Sequence, residues 1–344
     1  MDDPQRTDSV LRVVVVTMLA ALIALGGWLG FTVYRDRIAA EDANPALRTA
    51  KVIRAQVNQN PNDVVLRVRL GEALATSGKP QQAIEQFNAA LKIDPKHTGA
   101  LLDLGLVAAG SSRFDEARGY FKKVIDITGA DPKAAVSDRR ELAFYNLGRV
   151  EMYQKNWEAA IGNFKEALRI RNDASDTYFY LAQALAEIDQ NDDAMSNLAI
   201  ALKFDPSFAQ AHYWLGKLYL EEGDKVRASA EAGKAMQLSP DAPEPEALAA
   251  QIGKPEEFAA QARALASTDA SGAIQAAAIA FNLDPRGQVE TGRLEAELLV
   301  QLGRKKSALT VYQALAAVVP NDAEVKAAIK KLTPKNAKPS GAGI

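Results

Sequence analysis

The chain has 344 residues, 48% of them hydrophobic and 24% charged, with a net charge of -2. That balance does not point to nucleic acid as a partner, since no strongly basic character is implied, and the absence of cysteine excludes disulfides and thiolate metal sites. Aromatic residues make up only 7% and β-branched runs are scarce, whereas Ala and Leu abound, so helices are favoured over strands.

After a short tail, residues 1–12, the stretch Val13 to Tyr34 runs for 22 residues without a charge, bracketed by Arg12, Arg35 and Arg37. As a helix it would be about 33 Å long, enough for a hydrocarbon core of about 30 Å. Trp28 and Tyr34 stand toward its end, where amphipathic rings favour the membrane interface. A cleaved signal peptide would have an apolar region of about 7–15 residues and a small-x-small site, which Ile38-Ala39-Ala40 does not supply. The expectation is one retained transmembrane helix, 13–34, in a single-pass protein. Gly26 and Gly30 form a GxxxG within it, a spacing that permits homodimerisation in a bilayer. Residues 35–63 follow as a juxtamembrane segment with one helix from Pro45 to Asn58.

From 64 onward the chain repeats itself. Leu70-Gly71, Ala83 and Phe87, followed by Ala90 and a closing Pro95, mark the first copy, and Leu104-Gly105, Ala117 and Phe121 repeat the first four of these 34 residues later. Leu147-Gly148, Ala160 and Phe164 are followed, again 34 on, by Leu181-Ala182, Ala194 and Leu198, and then by Leu215-Gly216, Ala228 and Ala232. This pattern resembles the tetratricopeptide repeat (TPR) signature, a Leu-Gly pair in one helix, Ala and Phe in the next, and a closing Pro. In that register the well-formed copies are 64–97, 98–131, 141–174, 175–208 and 209–242, with 132–140 inserted between the second and third. Residues 243–253, with Pro243 and Pro245, read as a joint. Two degenerate copies follow at 254–287 and 289–322, then a capping helix, 323–332, and a disordered tail, 333–344.

Each recurring residue has a physical reason. Gly71, Gly105, Gly148, Gly216 and Ala182 stand where a partner helix crosses closely, and the Ala of the second helix does the same from its side. Gly78 and Gly223 allow the turn between helices, and Pro95, Pro206 and Pro240 stop the second helix. A single hairpin cannot bury its apolar face alone, so stacking supplies the core. The resemblance implies an all-α, right-handed superhelical solenoid of helical hairpins, preceded here by the transmembrane helix.

The resemblance also implies where a partner would bind. In the family, set places of the first helix line a concave groove. Here they give Tyr145, Phe179 and Tyr213 as an aromatic ladder, flanked by Arg149, Gln183 and Lys217 and by Tyr153, Glu187 and Glu221. Rings supply area and polar groups set register, which suits a protein or peptide segment. Repeats that clamp chaperone C-terminal carboxylates use paired Lys, Asn and Arg where this chain has Val68, Glu72 and Asp103, so that ligand is not expected.

Catalytic and metal motifs are missing. The two histidines, His97 and His212, have no ligand set beside them, and His212 stands where neighbouring repeats have Phe144 and Tyr178. Asp189 to Asp193 begins like a calcium loop but has Ala194 and Ile200 where Gly and Glu are needed. No nucleophile, P-loop or dinucleotide fingerprint occurs. The sequence therefore predicts no enzyme, cofactor or metal, but a membrane-anchored scaffold that binds a partner segment for assembly of an envelope complex. The alternative is a self-associating spacer. Counting basic residues puts the repeats in the cytoplasm, whereas resemblance to exported bacterial proteins of this layout puts them outside it.

Overall fold

The computed structural model describes residues 44–130 and 137–334. The apolar run Val13–Tyr34, its Gly26 and Gly30, and the tail beyond 334 lie outside the described residues. Among the described residues no helix is long and apolar enough to cross a membrane. The chain forms two compact units, divided between Val150 and Glu151.

The first unit is built from α1 (Pro45–Gln59), α2 (Val64–Thr76), α3 (Pro80–Ile93), α4 (Thr98–Gly110), α5 (Phe114–Gly129) and most of α6 (Asp138–Tyr153). Helix α1 starts at Asn44, whose Oδ1 accepts from Ala46 N–H at 2.9 Å, with Pro45 in the first turn where no donor is needed. Its Ala50 and Val57 join Val68, Leu70, Leu74 and Phe87 in one cluster, and Leu101, Phe121, Ala143 and Leu147 continue it.

Within each hairpin of this unit, a ring of the second helix lies on a bare glycine of the first. A Cβ added at Gly71 would stand 2.4 Å from Phe87, and one at Gly105 would stand 2.5 Å from Phe121. Both rings are buried. The fourth repeat has Ala182 and Leu198 at these places, trading ring area for one methyl. The turn between helices is also fixed. Gly78, Ser112, Lys155, Asp189, Gly223 and Gly303 share one place in their repeats, and all have φ between 58° and 82°. Only half of them are glycine, so the hairpin geometry imposes a left-handed residue even where a side chain makes it costly.

The second unit holds α7 (Trp157–Ile170), α8 (Ser175–Ala186), α9 (Asn191–Phe204), α10 (Ala209–Glu221) and α11 (Lys225–Leu238), then α12 (Pro243–Ile252), α13 (Pro255–Leu265), α14 (Ala270–Leu283), α15 (Val289–Gln301), α16 (Lys305–Val318) and α17 (Ala323–Leu332). The segment read as a joint is thus mostly helix. Pro243 and Pro255 each occupy a first turn, where a missing N–H leaves nothing unsatisfied, and Gly253 at φ 137° turns the chain between the two helices. Helix α12 packs on α10 and α11 and buries Leu248 and Ile252.

Beyond α12 the pairing changes. Helix α14 is buried on nearly every side, from Ala273 to Leu283, and lies against α11 as well as α13 and α15. The approach is close, because a Cβ at Gly233 would come 2.2 Å from the Asn282 carbonyl, while Asn282 Nδ2 donates to Ser229 Oγ at 3.1 Å. Arg293 of α15 ties in α17 through Asp322, with Glu324 at 3.0 Å. Glu295 of α15 is buried where the five well-formed repeats have Leu70, Leu104, Leu147, Leu181 and Leu215. Desolvation pushes its carboxyl up to about 7.

Two outcomes follow from this packing. Gly105→Ala should cost about 2–4 kcal/mol, and adding Phe121→Leu should recover a large part of that, as Ala182 with Leu198 implies. Urea melts of the two single variants and the double variant measure the coupling, and strictly additive losses would refute the ring-on-glycine account. Glu295 is protonated in both states below its unfolded value near 4.5, so ionisation adds no cost there. As pH rises from 4.5 to about 7 the unfolded chain ionises first, and stability falls. Glu295→Leu should therefore stabilise the fold more at pH 8 than at pH 4, by on the order of 3 kcal/mol. An equal gain at both pH values, read by thermal melts, would show that burial does not perturb this carboxyl.

Candidate functional site

Within one unit, first helices of successive hairpins present matching faces, so residues 34 apart line up along one surface. In the second unit that surface contains a cavity of ≈ 450 Å³. Helix α8 supplies Phe179, Tyr180 and Gln183, and α10 supplies Gln210, Tyr213 and Trp214. Glu244 and Pro245, in the first turn of α12, close one side.

The walls are closely packed. Phe179 is only 5% exposed, wedged against Phe208 at 4.8 Å and Tyr180 at 5.3 Å between ring centroids. Of the aromatic ladder it is therefore a floor residue, and its truncation would disturb packing as well as any ligand. Tyr213 is half-buried and packs beside Leu248 and Ile252. Trp214 meets Tyr213 edge-on at 6.4 Å and carries Lys217 Nζ 4.7 Å above its ring. Lys217 also pairs with Glu221 at 3.7 Å, so its charge is shared between a ring and a carboxylate.

Of the residues expected to line a groove, the structure brings Phe179, Gln183 and Tyr213 together around this cavity, with Lys217 reaching it through Trp214. Glu187 ends α8 as its exposed C-cap, and Tyr153 is 65% exposed; neither lines the cavity. Tyr145 and Arg149 belong to the first unit, where the guanidinium lies 5.7 Å from the ring centroid. Sequence reasoning missed Gln210, although it stands at one of the family's groove places. It also missed Trp214, which does not, and Pro245, which was hidden by reading α12 as a joint.

In the first unit, Asp103 of α4 is raised to about 7, chiefly by desolvation and then by repulsion from Glu72, with Arg139 opposing. The carboxylates that made a chaperone-tail ligand unexpected are thus close enough to repel one another. His97 caps α4, its Nδ1 accepting from Ala100 N–H at 3.1 Å. His212 Nδ1 sits 2.5 Å from Glu231. Burial lowers its pKa, but the bonds to Glu231 and the Pro206 carbonyl raise it net. Both histidines serve local structure, and among the described residues no cluster of His, Cys, Asp and Glu could hold a metal ion.

Comparison with known proteins bears on the same residues. A family model described as tetratricopeptide repeat matches 68–135, 145–196 and 181–243. The chain is 25% identical over 169 residues to the probable UDP-N-acetylglucosamine–peptide N-acetylglucosaminyltransferase SPINDLY of Hordeum vulgare, covering 45% of this chain and 18% of that protein. It is 30% identical over 167 residues to tetratricopeptide repeat protein 37 of Xenopus laevis, covering 46% and 10%. The chain therefore spans less than a fifth of the length of either relative. The solved structure of Pseudomonas aeruginosa PilF superposes with a TM-score of 0.52 at 20% identity, over 63% of this chain and 92% of that one, which is a likeness of fold. By its helical hairpins, its recurring left-handed turn and this match, the chain is a tetratricopeptide-repeat protein with an all-α solenoid fold, a scaffold class that generally mediates protein–protein interaction.

Proposed function

We propose that the protein is a non-catalytic scaffold that seats a short segment of a partner protein in the cavity between α8, α10 and α12. The observation that carries this reading is the lining itself. Tyr213 and Trp214 offer ring area above a floor made by Phe179, and the amides of Gln183 and Gln210 stand beside them. Aromatic anchors with neighbouring donors and acceptors are the means by which a groove holds a peptide, apolar contact giving affinity and amides setting register. The pocket has the size of a few side chains, so it suits a segment and not a domain face. On the same reading, Val13–Tyr34 anchors the chain in a membrane and the repeats work outside the cytoplasm on assembly of an envelope complex. The apolar length of that run supports the anchor, and resemblance of layout supports the side.

Peptides selected from a random library on the full-length protein test the cavity. Trp214→Ala and Gln210→Ala should each weaken selected peptides about 5- to 150-fold, with little change in helicity. Tyr153→Ala, outside the cavity, should leave them unchanged. Peptides that bind both cavity variants at full strength would refute this site. Lys217→Glu separates modes of recognition, since it should weaken acidic peptides and spare apolar ones. Alkaline phosphatase and fluorescent-protein fusions at Ile344 test the side of the membrane. An active phosphatase fusion is expected, and a fluorescent, phosphatase-inactive chain would place the repeats in the cytoplasm.

A further inference from the structure

Helix α1 has two distinct faces. Leu47, Ala50 and Val57 point into the first unit, and Arg54 turns toward α3, where its guanidinium donates to Gln82 Oε1 at 3.0 Å. The opposite face carries Arg48, Lys51, Val52 and Ala55, all exposed, at the one-turn spacing that sets them side by side. Val52 is 62% exposed, the most exposed large aliphatic side chain among the described residues. Helix α1 contains Arg48, Lys51 and Arg54 and no acidic residue at all. An isopropyl group held between basic side chains on one helix face is the pattern of an interfacial helix, where aliphatic area enters the headgroup layer and cations meet lipid phosphates.

The chain upstream limits what can reach this face. Residues 35–44 separate Tyr34 from α1, and ten residues span at most about 35 Å. Arg35 and Arg37 are offset in that linker by Asp36, Glu41 and Asp42, so the basic excess lies on α1. One aliphatic residue also makes too little apolar area for a stable protein interface, which needs about 800 Å² on each partner. We propose that the Arg48–Lys51–Val52 face of α1 rests on an anionic phospholipid surface, so that the first unit is held at the membrane by a second contact beyond the anchor. This rests on the reading of Val13–Tyr34 as a membrane anchor.

The absence of cysteine makes the test direct. Val52→Cys, labelled with an environment-sensitive fluorophore in the full-length protein, is reconstituted into phosphatidylcholine vesicles with and without phosphatidylglycerol. Emission should shift to the blue, and be quenched by headgroup spin labels, only where phosphatidylglycerol is present. Arg48→Gln with Lys51→Gln should reduce the docked-to-undocked ratio about thirtyfold, at about fivefold per basic residue, and high salt should have the same direction of effect. Emission identical in both vesicles, or unaltered by the double substitution, overturns this inference and leaves the anchor intact. A shift that depends on protein dilution and not on lipid assigns the face to a second copy, and also overturns it. Failure to float with either vesicle overturns the anchor and this inference together.

Discussion

The contact on which the solenoid depends is the seating of a second-helix ring on a first-helix glycine. Phe87 on Gly71 and Phe121 on Gly105 bring two helices closer than any Cβ would allow. The close crossing aligns each hairpin with the next, and only the next hairpin buries its remaining apolar face. The small residues are therefore geometry and the rings are volume, and each is useless without the other. The pairing also explains why Ala182 is accompanied by Leu198, since a methyl on one helix demands a smaller group on the other.

Where this contact lapses, the chain departs from regular stacking. The fifth hairpin has Ala232 in the ring position, and the group nearest Gly216 is instead Leu248 of α12. That substitution of one filler for another draws α12 onto α10 and α11. Its first turn then brings Glu244 and Pro245 to the wall of the cavity. In the last hairpins the contact moves from within one hairpin to between two, with Phe281 of α14 packed beside Gly292 of α15. The binding surface proposed here thus arises at the place where the repeat pattern degrades, because an irregular helix can close a cavity that a regular one would leave as an open groove.

Electrostatics mark the same gradient. Surface pairs such as Arg169 with Glu166 contribute little, being solvated on both sides. The consequential charges are those drawn furthest from water. Buried Glu295, in a leucine position, weakens the C-terminal stack as pH rises from 4.5 to about 7, whereas half-buried Arg293, held by Asp322 and Glu324, fastens α17 over the end of it. A scaffold tolerates such drift because each hairpin's stability is set by its neighbours and not by the whole chain.

Hairpin order and register were legible in the primary structure, because the spacing of 34 residues reflects local needs: a glycine at a crossing, a left-handed turn, a proline past a helix end. The places of Gly78, Gly223 and Phe87 follow from those needs alone. The candidate site was legible only in part. Phe179, Gln183 and Tyr213 could be named from their register, but not that Phe179 would be a buried floor, since Phe208 packs on it from outside its helix. Nor could Pro243 and Pro245 be told from a joint, since a proline reads alike in a loop and in a helix's first turn. Helix α12 is decided by tertiary structure: Leu248 and Ile252 hold it against α10 and α11, and no local pattern records a partner that far along the chain.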